Sequence, residues 1–137
     1  MTANTSPISP IASATSWPTT PLLTANTALD GTGTVGLAFT AGANGAKINR
    51  LIITHLGTNI ATVLRFFLNN GSTNTTAANN QLVAETTVAS NTLSQVAQSV
   101  QVQVALNITI PAGYKINYTT GTTVASGFAI VADGGNY

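Results

Sequence analysis

The chain predicts an all-β protein, an antiparallel β-sandwich or jelly roll of about eight strands behind an extended Pro/Thr-rich N-terminal arm. Three observations carry this expectation. From Thr32 onward, apolar residues recur with a period of two. The runs are rich in Val, Ile, Thr and aromatic residues, and Gly, Asn, Pro and Ser punctuate them in stretches such as AGANGA, NNGS and IPAGY. No convincing helical pattern interrupts them, and strands without helices bury their apolar faces by packing sheet on sheet.

Residues 1–31 hold four of the five prolines, Pro7, Pro10, Pro18 and Pro21, among Thr, Ser and Ala. Proline has no N–H to give to a ladder and holds its predecessor extended, so this segment reads as an arm. Trp17, inside SWPTTP, is its single aromatic residue. An indole left in water exposes a large apolar surface, so the arm is expected to dock on a neighbouring subunit or on its own domain. The sandwich domain then spans residues 32–137.

The strand runs read, in order, TVGLAF, KINRLIITHL, IATVLRFFL, QLVAETTV, SQVAQSVQVQVALNITI, YKINYTT and TVASGFAIVA. The fifth alternates most clearly: Val96, Val100, Val102, Val104, Leu106, Ile108 and Ile110 form a core face against Gln, Ser, Ala, Asn and Thr. A strand this long is expected to bend near Ser94 to Gln98, or near Leu106 and Asn107. Tyr114, Ile116 and Tyr118 share one face of YKINYTT, which points to core filling.

Two runs are apolar on both faces. In IATVLRFFL, Ile60, Leu64, Phe66 and Leu68 form one face, and Ala61, Val63 and Phe67 flank Arg65 on the other. In KINRLIITHL, Ile48, Ile52 and Leu56 face one way, and Leu51 and Ile53 the other. Something must cover the second faces, either the chain's own arm or loops, or a partner subunit. The interface candidates are therefore Trp17, Leu51, Ile53, Ala61, Val63, Arg65 and Phe67.

Only seven of 137 residues carry formal charge: Asp30, Lys47, Arg50, Arg65, Glu85, Lys115 and Asp133. Disorder needs low hydrophobicity with high net charge, whereas this chain is 44% hydrophobic at net charge +1, so it folds. Thr, Asn and Ser supply 47 residues, and their hydroxyls and amides cost less to desolvate than charges do. Such a surface suits burial against other subunits, and a net charge near zero gives a free monomer little colloidal protection. Scattered cations cannot neutralise a row of phosphates, so no nucleic-acid partner is expected. Apolar runs are too short for a spanning helix, and the first cation is Lys47, so neither a membrane partner nor a cleaved secretory signal is expected. Without cysteine, stability rests on packing and association.

The inventory for catalysis is thin. GTGTVG at Gly31 to Gly36 matches a nucleotide-binding glycine pattern, but it precedes a strand, not a helix, and the next acid is Glu85, so no such site is expected. His55 is the only histidine, which excludes a multi-histidine metal centre, and its place beside Thr54 points to a surface or interface position. Asp30, Glu85 and Asp133 show no pairing suited to glycoside hydrolysis. No cofactor and no enzymatic activity are expected. The five N-x-S/T sequons reflect the abundance of their residues.

From TAGANGAKINRL through ATVLRFFLNNGSTNTTAANN and LNITIPAGYKINYTTGTTVASGFAIVADGGNY, the chain resembles small virion proteins of tailed bacteriophages, in particular capsid cement or decoration proteins. The resemblance covers Thr40 to Tyr137 and is most specific in the AGANG turn, the FFLNNGSTNTTAANN loop, the IPAGYKI hairpin and the Gly-Gly-aromatic ending. It implies a jelly-roll subunit on the outer capsid surface, made in the bacterial host cytoplasm, that bridges neighbouring major capsid protein subunits and stabilises the shell. A homodimer burying the second face of IATVLRFFL is the expected unit, with a trimer as the rival. The alternative is a tail or fibre domain that binds a host glycan, with Trp17, Tyr114, Tyr118 and Tyr137 as the aromatic candidates.

Overall fold

A computed structural model describes residues 12–13 and 21–137 of the chain. Trp17 and most of the predicted arm lie outside the described residues. The strands are β1 (Ala12–Ser13), β2 (Gly36–Thr40), β3 (Ala46–His55), β4 (Thr62–Asn69), β5 (Asn80–Val88), β6 (Gln101–Ile110), β7 (Lys115–Thr120) and β8 (Phe128–Asn136). They form two four-stranded antiparallel sheets of order β1-β8-β3-β6 and β2-β7-β4-β5.

This order is that of a jelly roll. β1 pairs with β8, β2 with β7, β3 with β6 and β4 with β5, the nested pairs of one long hairpin closed at the β4–β5 turn. Rolling that hairpin sends every other connection across from one sheet to the other. Between the sheets lie Ile48, Leu51, Ile53, Leu64, Phe66, Ile110, Ile116, Tyr118, Phe128 and Ile130, all fully buried. The Phe66 and Tyr118 rings sit 6.5 Å apart across adjacent strands.

β3 departs from strict alternation, which corrects the expectation for Leu51 and Ile53. A bulge between Ile48 and Arg50 shifts its register against both β6 and β8. Ile48 points inward before the bulge, and Leu51, Ile53 and His55 point inward after it. Ile48, Leu51 and Ile53 thus share the inner face as core residues, while Ile52, between the last two, is only partly buried and Leu56 is exposed. Gly134 of β8 makes the bulge possible, because a Cβ there would collide with the Lys47 carbonyl oxygen.

β6 begins at Gln101, later than the alternating pattern suggests. Residues 92–100 are irregular, and the Ser94 hydroxyl accepts hydrogen bonds from the N–H groups of Val96 and Ala97, turning the chain. Val96 is consequently 98% exposed rather than part of the core. Tyr118 is fully buried and Tyr114 packs partly against the core, so the tyrosine face of β7 fills the interior.

Candidate functional site

The outer face of the β2-β7-β4-β5 sheet holds four of the predicted interface residues. β4 is regular against β7, so Ala61, Val63, Arg65 and Phe67 alternate away from the core. Phe67 does point opposite to Phe66, but it is only 1% exposed and lies outside the contiguous core between the sheets. Its cover comes from the chain itself. Gly31, at φ +76°, lies so close that a Cβ there would stand 3.0 Å from the Phe67 ring and 2.7 Å from Asn80 Cβ. Phe67 is thus roofed by its own chain and is not an open contact residue, which corrects that part of the interface expectation.

Amides hold the roof in place. The Asn26 side-chain nitrogen donates to the Thr32 and Thr34 carbonyls, each at 2.8 Å, closing the loop between them. The Asn26 main-chain N–H donates to the Thr120 carbonyl at 2.8 Å, and the Leu22 N–H donates to the buried Tyr118 hydroxyl at 3.2 Å. From the other side, Asn74 donates to the Gly31 and Gly33 carbonyls and Asn80 to the Asp30 carbonyl. Residues 26–34 are therefore stitched to β7 and to the β4–β5 loop, while Leu22 packs into the core between the sheets.

The same asparagines explain the uncharged β4–β5 loop. Asn69 donates to Asn80 Oδ1 and Asn70 to Asn79 Oδ1, rungs that draw the loop together around a single 3-10 turn, Ala77–Asn79. Asn69 and Asn70 side-chain oxygens accept from the N–H groups of Gly71 and Ser72. The loop is compact, and its amides satisfy main-chain groups of this chain. A charge in those positions could not both donate and accept in this way.

Beside the roof the outer face stays open. Ala61, Val63 and Arg65 line a shallow hollow of about 370 Å³, which Thr27, Thr62, Thr87, Gly121 and Thr122 complete. Arg65 Nε donates to Glu85 Oε2 at 2.9 Å across the β4–β5 ladder. Opposite Arg65 on β7 stands Thr119, whose hydroxyl is buried and, among the described side chains, is the one buried polar atom without a partner. The other sheet also carries one exposed ion pair, Arg50 Nε to Asp133 Oδ2 at 2.8 Å. Four of the seven formal charges are therefore neutralised in two cross-strand pairs, leaving Asp30, Lys47 and Lys115, and the rest of the exterior is amide, hydroxyl and apolar groups.

A second surface is the side wall where β6 and β5 end their sheets. The inward residues of β6, Val102, Val104, Leu106 and Ile108, are only half-buried, unlike their fully buried counterparts Leu51 and Ile53 on β3. Near the β6 end of this wall Leu93, Val96 and Val100 are exposed, as are Leu56 and Ile60 of the β3–β4 turn.

His55 is buried, not a surface or interface residue. Its ring packs on Phe128 at a centroid distance of 5.1 Å, and Asn59 Nδ2 lies 3.3 Å from Nδ1. Asn59 Oδ1 accepts from the N–H groups of Ser126 and Gly127, which orients the amide so that its nitrogen faces the ring. Nδ1 is then the acceptor and the neutral ring carries its proton on Nε2. Burial holds the pKa below its ordinary value.

No protein-family model, no curated protein and no solved structure matches the chain. Among the described residues, no three His, Asp or Glu side chains come together as metal ligands, and no helix is long and apolar enough to cross a membrane. The side wall was not singled out from the sequence. The signal was present in the ten charge-free residues of QVQVALNITI, but only the strand order shows that this run ends a sheet.

Proposed function

We propose that the protein is a structural virion component, a bacteriophage capsid cement or decoration protein that sits on the outer shell and bridges neighbouring major capsid protein subunits. The observation that carries this reading is a charge-poor exterior on a jelly-roll frame, an architecture used by viral capsid domains. Amide and hydroxyl surfaces pair across an interface at low desolvation cost, and many weak contacts become strong when a lattice repeats them. The role is mechanical and requires no turnover of substrate. The glycan-binding alternative gains no support from Tyr114 and Tyr118, which fill the core rather than form a platform.

The test is addition of purified protein to capsids that lack it, followed by sedimentation and heating of the decorated shells. Stoichiometric binding with a raised rupture temperature is the expected result. Failure to bind capsids, together with enrichment on isolated tails, would overturn the cement reading.

A further inference from the structure

We infer that β6 is a self-association edge, at which a second copy of this chain adds its own β6 antiparallel across a two-fold axis. The inference rests on the side wall alone and holds whatever surface the protein decorates. Among the described residues nothing pairs with the outer edge of β6, so a row of main-chain N–H and C=O groups is left that only another extended strand can satisfy regularly. Charge and proline, two of the usual protections of an edge, are missing, and one bulge is present. Gln101–Ile110 contains no Lys, no other charge and no Pro, and its single irregularity, Asn107 at φ 51°, leaves it laddered to β3 on both sides.

Side-chain chemistry names the partner. Antiparallel pairing opposes residues on the same face, so the partner strand must be apolar inside and uncharged outside, in strict alternation. β6 is itself such a strand. A two-fold axis at Ala105 opposes Val104 to Leu106 and Val102 to Ile108 inside. Outside, it opposes Gln103 to Asn107 and Gln101 to Thr109. Each half-buried inner residue then gains an apolar neighbour, and each outer amide gains an amide or hydroxyl. Isologous contacts need this kind of self-complementarity.

The wall is also large enough. Ten residues of strand span roughly 33 Å, and two sheets about 10 Å apart with their side chains make a wall roughly 20 Å high. Roughly 650 Å² per copy, or about 1,300 Å² in total, exceeds the about 1,000 Å² that a specific interface requires. This replaces the expected dimer through the second face of IATVLRFFL, whose Phe67 the chain covers itself.

The experiment is sedimentation equilibrium on the full chain and on two double variants, Gln103→Lys/Ala105→Lys and Gln103→Glu/Ala105→Glu. Both positions are exposed, so neither variant disturbs the core, and unchanged circular dichroism checks this. The wild type is expected to dimerise, each variant alone to lose at least about tenfold in affinity from like charges brought together, and their mixture to recover the dimer. A monomeric wild type at about 100 µM, well above the micromolar range of ordinary specific complexes, would overturn the inference. So would variants that dimerise as well as the wild type, which would place the contact elsewhere.

Discussion

Phe67→Ala separates a roofed side chain from a contact side chain. A phenylalanine buries about 150–250 Å² of surface, and at about 25 cal/mol per Å² the whole side chain is worth roughly 4–6 kcal/mol when removed from water. Alanine keeps the Cβ, and the roof over Phe67 is a loop held by side-chain amides that can settle into part of the space. The expected loss is therefore about 3 kcal/mol, the low end for Phe→Ala substitutions. Val63→Ala, at a half-exposed position on the same face, serves as the control and should cost less than about 1 kcal/mol. Urea unfolding followed by circular dichroism measures both, with the midpoint read at constant slope. Sedimentation of Phe67→Ala should match the wild type. A loss below about 1 kcal/mol accompanied by weakened self-association would show that Phe67 meets a partner, and would refute the reasoning from its roof.

His55 should make stability fall with acid: its folded pKa lies below the ordinary 6.5, so the unfolded chain binds the proton first and stability present above that value is lost as pH drops through it. Urea midpoints of the wild type should decline between pH 7.5 and 5, while those of His55→Gln should stay flatter; parallel curves would be evidence against a buried neutral ring. Gly134→Ala should cost about 1–3 kcal/mol, because the new methyl meets the Lys47 carbonyl and must push β8 from β3. A thermal midpoint equal to the wild type would show that the bulge does not need glycine. Tyr118→Phe removes only the oxygen that accepts the Leu22 N–H, and leaving that buried donor unpaired should cost about 1–3 kcal/mol. Faster hydrogen exchange at Leu22 should accompany the loss, and unchanged exchange would mean that the hydroxyl does not hold the segment.

The strand runs were legible because period-two patterning is a local property of the chain. KINRLIITHL, IATVLRFFL, QLVAETTV and YKINYTT each correspond to an observed strand. Faces were less legible. Leu51 and Ile53 read as a second face because one extra residue at the Asn49 bulge reverses the side of everything after it, and nothing in the local pattern marks that residue. Its enabling glycine, Gly134, lies more than eighty positions away. The charge-free β4–β5 loop was conspicuous in sequence, yet its composition alone does not say whether amides meet neighbours or their own main chain. Asn69, Asn70 and Asn79 bond within the loop itself, and Asn74 and Asn80 reach the carbonyls of Asp30, Gly31 and Gly33, which the fold brings alongside.

Composition and periodicity determined by themselves that the protein is all-β, charge-poor and built from two packed sheets, since each follows from residues within a few positions of one another. Only the tertiary structure decided which strands end their sheets, that the loop carrying Gly31 covers Phe67, and that β6 is left with an open edge. Those properties arise from pairings between distant segments, such as β3 with β8 and β2 with β7. Whether an apolar residue is core or contact depends on what the rest of the chain lays over it, and that is not written in its own neighbourhood.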